Sequence, residues 1–236
     1  NNKKMSIFHL NKKMARLIVL QRIELLGPFQ KRIRKLFGRY LFGNFFSKFI
    51  FNTEEVGALY FDIMNKEFES INNSIDLKNQ KILSIGGGMG GLETQINSKF
   101  KDNKYYFIEK NYVSKKVKYG WDPENNEGYN NLNLLKDFLI LNGMKEADFK
   151  IYDQDKDELP NVEFDIITSL YSLDYHYDFN IYIDYIKKNS NKNTKIIFDT
   201  IRPEFFSNIF KNIKVLKIND ETIHKSKRLL CSEFIK

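Results

Sequence analysis

The chain has 236 residues, of which 42% are hydrophobic and 15% aromatic; this excludes a disordered composition and is enough for one substantial core. The net charge is +8, and residues 1–50 hold twelve Lys or Arg against the single acid Glu24, so the basic charge is concentrated in an N-terminal segment. The single cysteine, Cys231, excludes an internal disulfide and a cysteine-based metal cluster, and we expect a reducing, cytoplasmic compartment.

Residues 1–78 are predicted to form a basic and aromatic helical extension or cap. The apolar residues of 14–26 recur at helical spacing, and Gly-Pro follows directly. Residues 29–51 mix basic and aromatic side chains and are predicted to form one or two short helices. A longer amphipathic helix is expected at 53–71.

The basic segment 1–50 has three candidate roles: oligomer contact, substrate recognition, or association with an anionic membrane at the inner face. Its most apolar run, 17–20, is too short for a signal sequence or a membrane span, and neither is expected. Residues 53–75 are expected to cap the active site, where Tyr60 or Phe61 would close over a cofactor.

Residues 79–236 are predicted to form a second unit in which strands alternate with helices. Strands are expected at 81–85, 104–110, 148–155, 163–173 and 194–202, and helices at 91–100, 131–143, 179–189 and 203–213. Two further strands, 214–219 and 227–235, have no helix between them and are expected to pair antiparallel. The fold class is therefore α/β, a Rossmann-like, mostly parallel sheet of seven strands with an antiparallel terminal strand.

A glycine cluster, "GGGMGG", follows the first of these strands and precedes a helix. Gly86, Gly88 and Gly90 fit a spacing typical of S-adenosylmethionine sites, whereas Gly86, Gly88 and Gly91 fit a dinucleotide spacing. Glycines permit a tight turn and a close approach of the ligand, and the helix behind them supplies free N–H groups. Glu109, at the end of the second strand, suits the ribose hydroxyls of either cofactor.

Four features together resemble class I S-adenosylmethionine-dependent methyltransferases over residues 80–236: "ILSIGGGMG", Glu109, Asp153 and "FDIITSLYSLDYHY". The last stretch, with "YNNLNLLKDFLILNGM", more weakly resembles bacterial sugar O-methyltransferases. The resemblance implies S-adenosylmethionine as the cofactor, with the acid after the third strand contacting the adenine amino group. The implied cofactor-binding residues are Gly86, Gly87, Gly88, Glu109, Asp153 and Gln154. One departure is Ser84, because the family commonly has an acid two residues before the first glycine.

The loop after the fourth strand carries the candidate catalytic residues. His176 is the natural general base for a hydroxyl acceptor, since an unperturbed histidine has a pKa of about 6.5. Asp174 would orient His176 or touch the substrate. The candidate substrate residues are Tyr171, Tyr175, Tyr177 and Arg202, although a salt bridge is the favoured role for Arg202.

No resident metal is expected, because the acids Asp153, Asp174 and Asp199 with His176 show no diagnostic ligand spacing. We assign no role to the other two histidines, His9 and His224.

The sequence therefore predicts O-methylation of a small-molecule or glycan hydroxyl. Nucleic-acid methylation with the basic N-terminus is an alternative, disfavoured because no "NPPY"-like tetrad follows the fourth strand and the catalytic part is mildly acidic. A non-catalytic, membrane-associated binding subunit with the same fold is a second alternative.

Overall fold

The computed structural model describes residues 7–22, 52–113, 130–219 and 225–235. The helices expected at 29–51 and the position of His224 lie outside these ranges. Most of the basic segment 1–50 also lies outside them, so its role stays a prediction.

One sheet organises the fold. Its strands are β1 (Lys81–Ile85), β2 (Lys104–Glu109), β3 (Phe149–Asp153), β4 (Ile166–Ser169), β5 (Lys195–Thr200), β6 (Phe210–Asn219) and β7 (Ser226–Phe234). They lie in the order β3-β2-β1-β4-β5-β7-β6. β1 to β5 are parallel, and β7 is antiparallel to both β5 and β6. This confirms the predicted sheet, and the strand order reverses between β1 and β4, where ligands bind in open α/β sheets.

Helices cover the sheet because its buried strands carry apolar side chains on both faces. The helices are α1 (Lys12–Gln21), α2 (Thr53–Asn72), α3 (Gly91–Lys99), α4 (Leu132–Leu141) and α5 (Ile183–Lys188). Ile82 belongs to the apolar layer shared with α1 to α4, whereas its neighbour Leu83 belongs to the layer shared with α5. In the ranges given above, no helix is both long and apolar enough to cross a bilayer.

The N-terminal segment packs directly on α2 and α4. The ring of Phe8 lies 5.3 Å from that of Tyr60 and 5.2 Å from that of Phe138. The Phe8 N–H donates to the carbonyl of Gly57 at 3.3 Å, and a Cβ at Gly57 would lie 2.1 Å from the Phe8 carbonyl oxygen. Glycine therefore permits this close approach, and α1 shares one core with the sheet.

The predicted helix at 203–213 is wrong. Residues Pro203–Asn208 form a short 3₁₀ helix, and β6 begins at Phe210. Phe210 pairs with Phe234 of β7, and their rings lie 4.5 Å apart. The long ladder between β6 and β7 and this aromatic contact override the local helical pattern, because tertiary packing outweighs intrinsic propensity.

Candidate functional site

The glycine turn joins β1 to α3 at the point where the strand order reverses. Gly86, Gly88 and Gly90 have φ angles of +65°, +68° and +71°, a conformation that favours glycine. Gly91 is already the first residue of α3, where a Cβ would lie 2.6 Å from the Tyr60 hydroxyl. The G-x-G-x-G spacing thus defines the turn, and Gly91 serves helix packing.

Glu109 is held against this turn by hydrogen bonds. Its Oε1 accepts from the Gly88 N–H at 2.9 Å, and its Oε2 accepts from Asn130 Nδ2 at 3.0 Å. Asn130 Nδ2 also donates to the Gly88 carbonyl at 2.8 Å. Burial raises the pKa of Glu109 to about 8, although the bonds from Asn130 and Gly88 oppose the shift. Asn130 could not be identified from the sequence, because no local pattern reports its contact with Glu109.

Asp153 and Gln154 lie beside Glu109, since Glu109 and Asp153 are partners in the pairing of β2 with β3. The Gln154 N–H donates to the Glu109 carbonyl at 2.8 Å. A cavity of about 360 Å³ opens here, lined by Lys110, Asn111, Tyr112, Asp153, Asp155 and Lys156. The structure therefore brings the predicted cofactor-binding residues to one edge of the sheet.

The loop after β4 places Asp174 in the interior. Asp174 is 0% exposed, and its carboxylate accepts hydrogen bonds from Arg202 Nη2 at 2.7 Å and from the Thr200 hydroxyl. Arg202 also contacts Asp178 at 2.8 Å. Burial raises the pKa of Asp174, and the bonds from Arg202 oppose the shift. Asp174 and Arg202 therefore form an ion pair that supports the loop. This is the role that was favoured for Arg202 from the sequence.

His176 is exposed on the same loop, next to tyrosines. Its ring lies edge-to-face on Tyr175 at 4.7 Å, and Tyr175 lies edge-to-face on Tyr171 at 5.4 Å. The backbone N–H of His176 donates to the Ser172 carbonyl at 2.8 Å. Tyr177 is half-buried at the end of this turn. The structure groups the predicted substrate tyrosines with His176, whereas the carboxylate of Asp174 is bonded elsewhere.

A buried polar network lies behind Tyr171. Arg228 is 0% exposed and donates to both carboxylate oxygens of Asp199, at 3.0 and 2.9 Å, and to Glu67 of α2. Tyr171 donates its N–H to Asp199 at 3.0 Å and its hydroxyl to Asn219 at 3.0 Å. This network links α2 to the sheet and fixes Tyr171. The pairing of Arg228 with Glu67 could not be predicted, because the two residues are far apart in the chain.

A second, small space borders the glycine turn on the α1 side. It is lined by Arg22, Met64, Ser84, Gly87, Leu92, Glu93, Thr168 and Leu170. Glu93 was not among the predicted site residues, although it lies in the first turn of α3, directly after the glycines. Across the portion of the chain with assigned structure, no group of three His, Cys, Asp or Glu side chains is arranged to hold a metal ion.

The fold is that of S-adenosylmethionine-dependent methyltransferases. A protein from Nostoc punctiforme assigned as an O-methyltransferase matches 75% of this chain and 57% of its own length, with 11% identity and a TM-score of 0.52. The StiE O-methyltransferase, residues 961–1257, matches 86% of this chain and 82% of its own length, with 12% identity and a TM-score of 0.51. The chain thus spans little more than half of the Nostoc protein. No family model and no curated protein sequence matches this chain.

Proposed function

We propose that this chain is an S-adenosylmethionine-dependent methyltransferase that methylates a hydroxyl group of a small molecule or glycan. The main support is that the glycine turn, Glu109 and Asp153 lie together at the carboxyl edge of the sheet. At low sequence identity the fold alone does not decide an activity, so these residues are the support for the proposal.

The residues present fit the cofactor. Gly86, Gly87 and Gly88 leave the first part of the turn without Cβ atoms, so its backbone N–H groups can approach a ligand closely. Glu109 would accept hydrogen bonds from the ribose hydroxyls, and Asp153 would accept one from the adenine amino group. The neighbouring cavity of about 360 Å³ falls within the size range of small-molecule sites.

When bound, this cofactor supplies a methyl group on a positively charged sulfonium. The protein must then align the acceptor and remove the hydroxyl proton. His176 would take that proton. Tyr171 and Tyr175 would pack against the acceptor, because the Tyr175 ring contacts both the Tyr171 ring and the His176 ring. Asp174 and Arg202 would hold the loop in place.

Transfer of a tritiated methyl group from S-adenosylmethionine to sugars, glycans and other hydroxyl compounds tests this proposal. His176→Ala should lower kcat by about 10²- to 10⁴-fold and leave cofactor affinity unchanged. His9→Ala, at an exposed histidine in the N-terminal segment, is the matched control. An unchanged kcat for His176→Ala would remove His176 from the role of base.

We also propose that residues 1–50 contact an anionic membrane or another copy of the chain. The support is their twelve basic side chains interleaved with aromatic ones. Co-sedimentation of the full chain with anionic vesicles, but not with neutral ones, is the expected result.

A further inference from the structure

Two buried oxygens beside the glycine turn, Glu93 Oε2 and Ser84 Oγ, make no hydrogen bond of good geometry to any of the residues that the structure describes. The Ser84 hydroxyl nevertheless lies close enough to Glu93 to favour its ionised form. Glu93 is 2% exposed, and its other oxygen, Oε1, lies 3.5 Å from the Thr168 hydroxyl. Burying a carboxylate without full compensation is costly, and buried acids in folded proteins are normally paired. The position therefore offers two buried acceptor oxygens to a ligand that carries hydrogen-bond donors.

Both oxygens border the same space over Gly87. A Cβ at Gly87 would lie 2.2 Å from Ser84 Oγ and 3.5 Å from Glu93 Oε1. Glycine leaves this space open between the turn and the carboxylate. Glu93 thus places a carboxyl group next to position 84, where the chain has a hydroxyl.

We propose that Glu93 binds the ammonium group of the methionine end of S-adenosylmethionine, with Ser84 as a second acceptor. An ammonium offers three donors, and the unpartnered oxygens of Glu93 and Ser84 are acceptors at one site. A charge-assisted bond of this kind is stronger than a neutral one. This inference rests on the proposed function and assigns to the cofactor site a carboxylate that the glycine motif lacks.

The end of α1 must shift for the ligand to enter. The space holds about 10 Å³, no more than one water molecule, and Arg22 is among the residues that line it. A Cβ at Gly88 would lie 2.8 Å from Gln21 Oε1, so Gln21 covers the turn. Burial raises the pKa of Glu93, and the neighbouring hydroxyls of Ser84 and Thr168 and the positive charge of Arg22 oppose that shift. An incoming ammonium would take over this compensation as Arg22 moves aside.

Calorimetry with two ligands tests the proposal on the full chain. S-adenosylhomocysteine carries the amino-acid end, whereas 5′-methylthioadenosine lacks it. Glu93→Gln should weaken binding of S-adenosylhomocysteine by about 10- to 100-fold and change binding of methylthioadenosine by less than about 2-fold. Moving the carboxylate back, in the double variant Ser84→Asp with Glu93→Gln, should restore most of the lost affinity.

Equal affinity of the wild type and Glu93→Gln for S-adenosylhomocysteine would overturn the assignment, as would an equal loss for both ligands. Absence of binding of either ligand to the wild type would instead overturn the proposed cofactor itself. If Glu93→Gln does not fold, Glu93→Asp is the alternative variant, because it keeps a carboxyl group on a side chain that is one methylene shorter. That variant should still lose affinity for S-adenosylhomocysteine alone, and an unchanged affinity would count against the proposal.

Discussion

Replacing Glu109 by Gln should change how the stability of the ligand-free protein depends on pH. Burial raises the pKa of Glu109 from 4.5 to about 8. Between these values the folded protein binds more protons than the unfolded chain, so this group lowers the free energy of unfolding as pH rises. The loss between pH 5 and pH 7 is about 2.5 kcal/mol, since each pH unit well inside the window costs about 1.4 kcal/mol.

Urea unfolding of the wild type and Glu109→Gln at pH 5, 6, 7 and 8 measures this effect. The amide loses the hydrogen bond from Asn130, and that loss shifts the whole Gln curve without changing its slope with pH. The wild type should therefore lose stability relative to Glu109→Gln as pH rises. Glu158→Gln, at an exposed carboxyl, should keep the slope of the wild type. Parallel curves for the wild type and Glu109→Gln would refute the reasoning.

Arg228→Met should lower the free energy of unfolding by about 3–5 kcal/mol, because it leaves the buried Glu67 and Asp199 without their cation. Urea unfolding measures this loss of stability. The control Lys227→Met, on the same strand, should change stability by less than about 0.5 kcal/mol. Similar losses in the two variants would contradict the buried network. Gly88→Ala should abolish cofactor binding in calorimetry, because a Cβ would project from the turn at a φ of +68°. Gly143→Ala, also left-handed but with open space around it, should cost about 1–2 kcal/mol of stability and leave binding intact. Cofactor binding by both glycine variants would refute this role of the turn.

The sheet and the cofactor edge could be predicted from sequence because their signals are local. An acid at the end of a parallel strand lies at the carboxyl edge of the sheet, whatever the position of that strand in the strand order. Glu109 and Asp153 are therefore neighbours in the structure, as the resemblance implied. The glycine spacing likewise reports a backbone conformation fixed by a few residues.

The parts that could not be predicted depend on contacts between distant segments. Arg228 meets Glu67 across 161 positions of the chain, and no local pattern announces the pair. The stretch 203–213 was predicted to be a helix with Pro203 in its first turn, but Phe210 pairs and packs with Phe234 of β7 and therefore lies in a strand. The sequence suggested that Asp174 could orient His176. In the structure the Asp174 carboxylate instead accepts hydrogen bonds from Thr200, at the end of β5, and from Arg202, just after it.

Calorimetry of the full chain with S-adenosylmethionine and, separately, with a nicotinamide dinucleotide tests the central claim most directly. We predict one site for S-adenosylmethionine, weakened by Asp153→Asn and lost in Gly88→Ala, and no measurable heat with the dinucleotide. Binding of the dinucleotide without binding of S-adenosylmethionine would contradict the account.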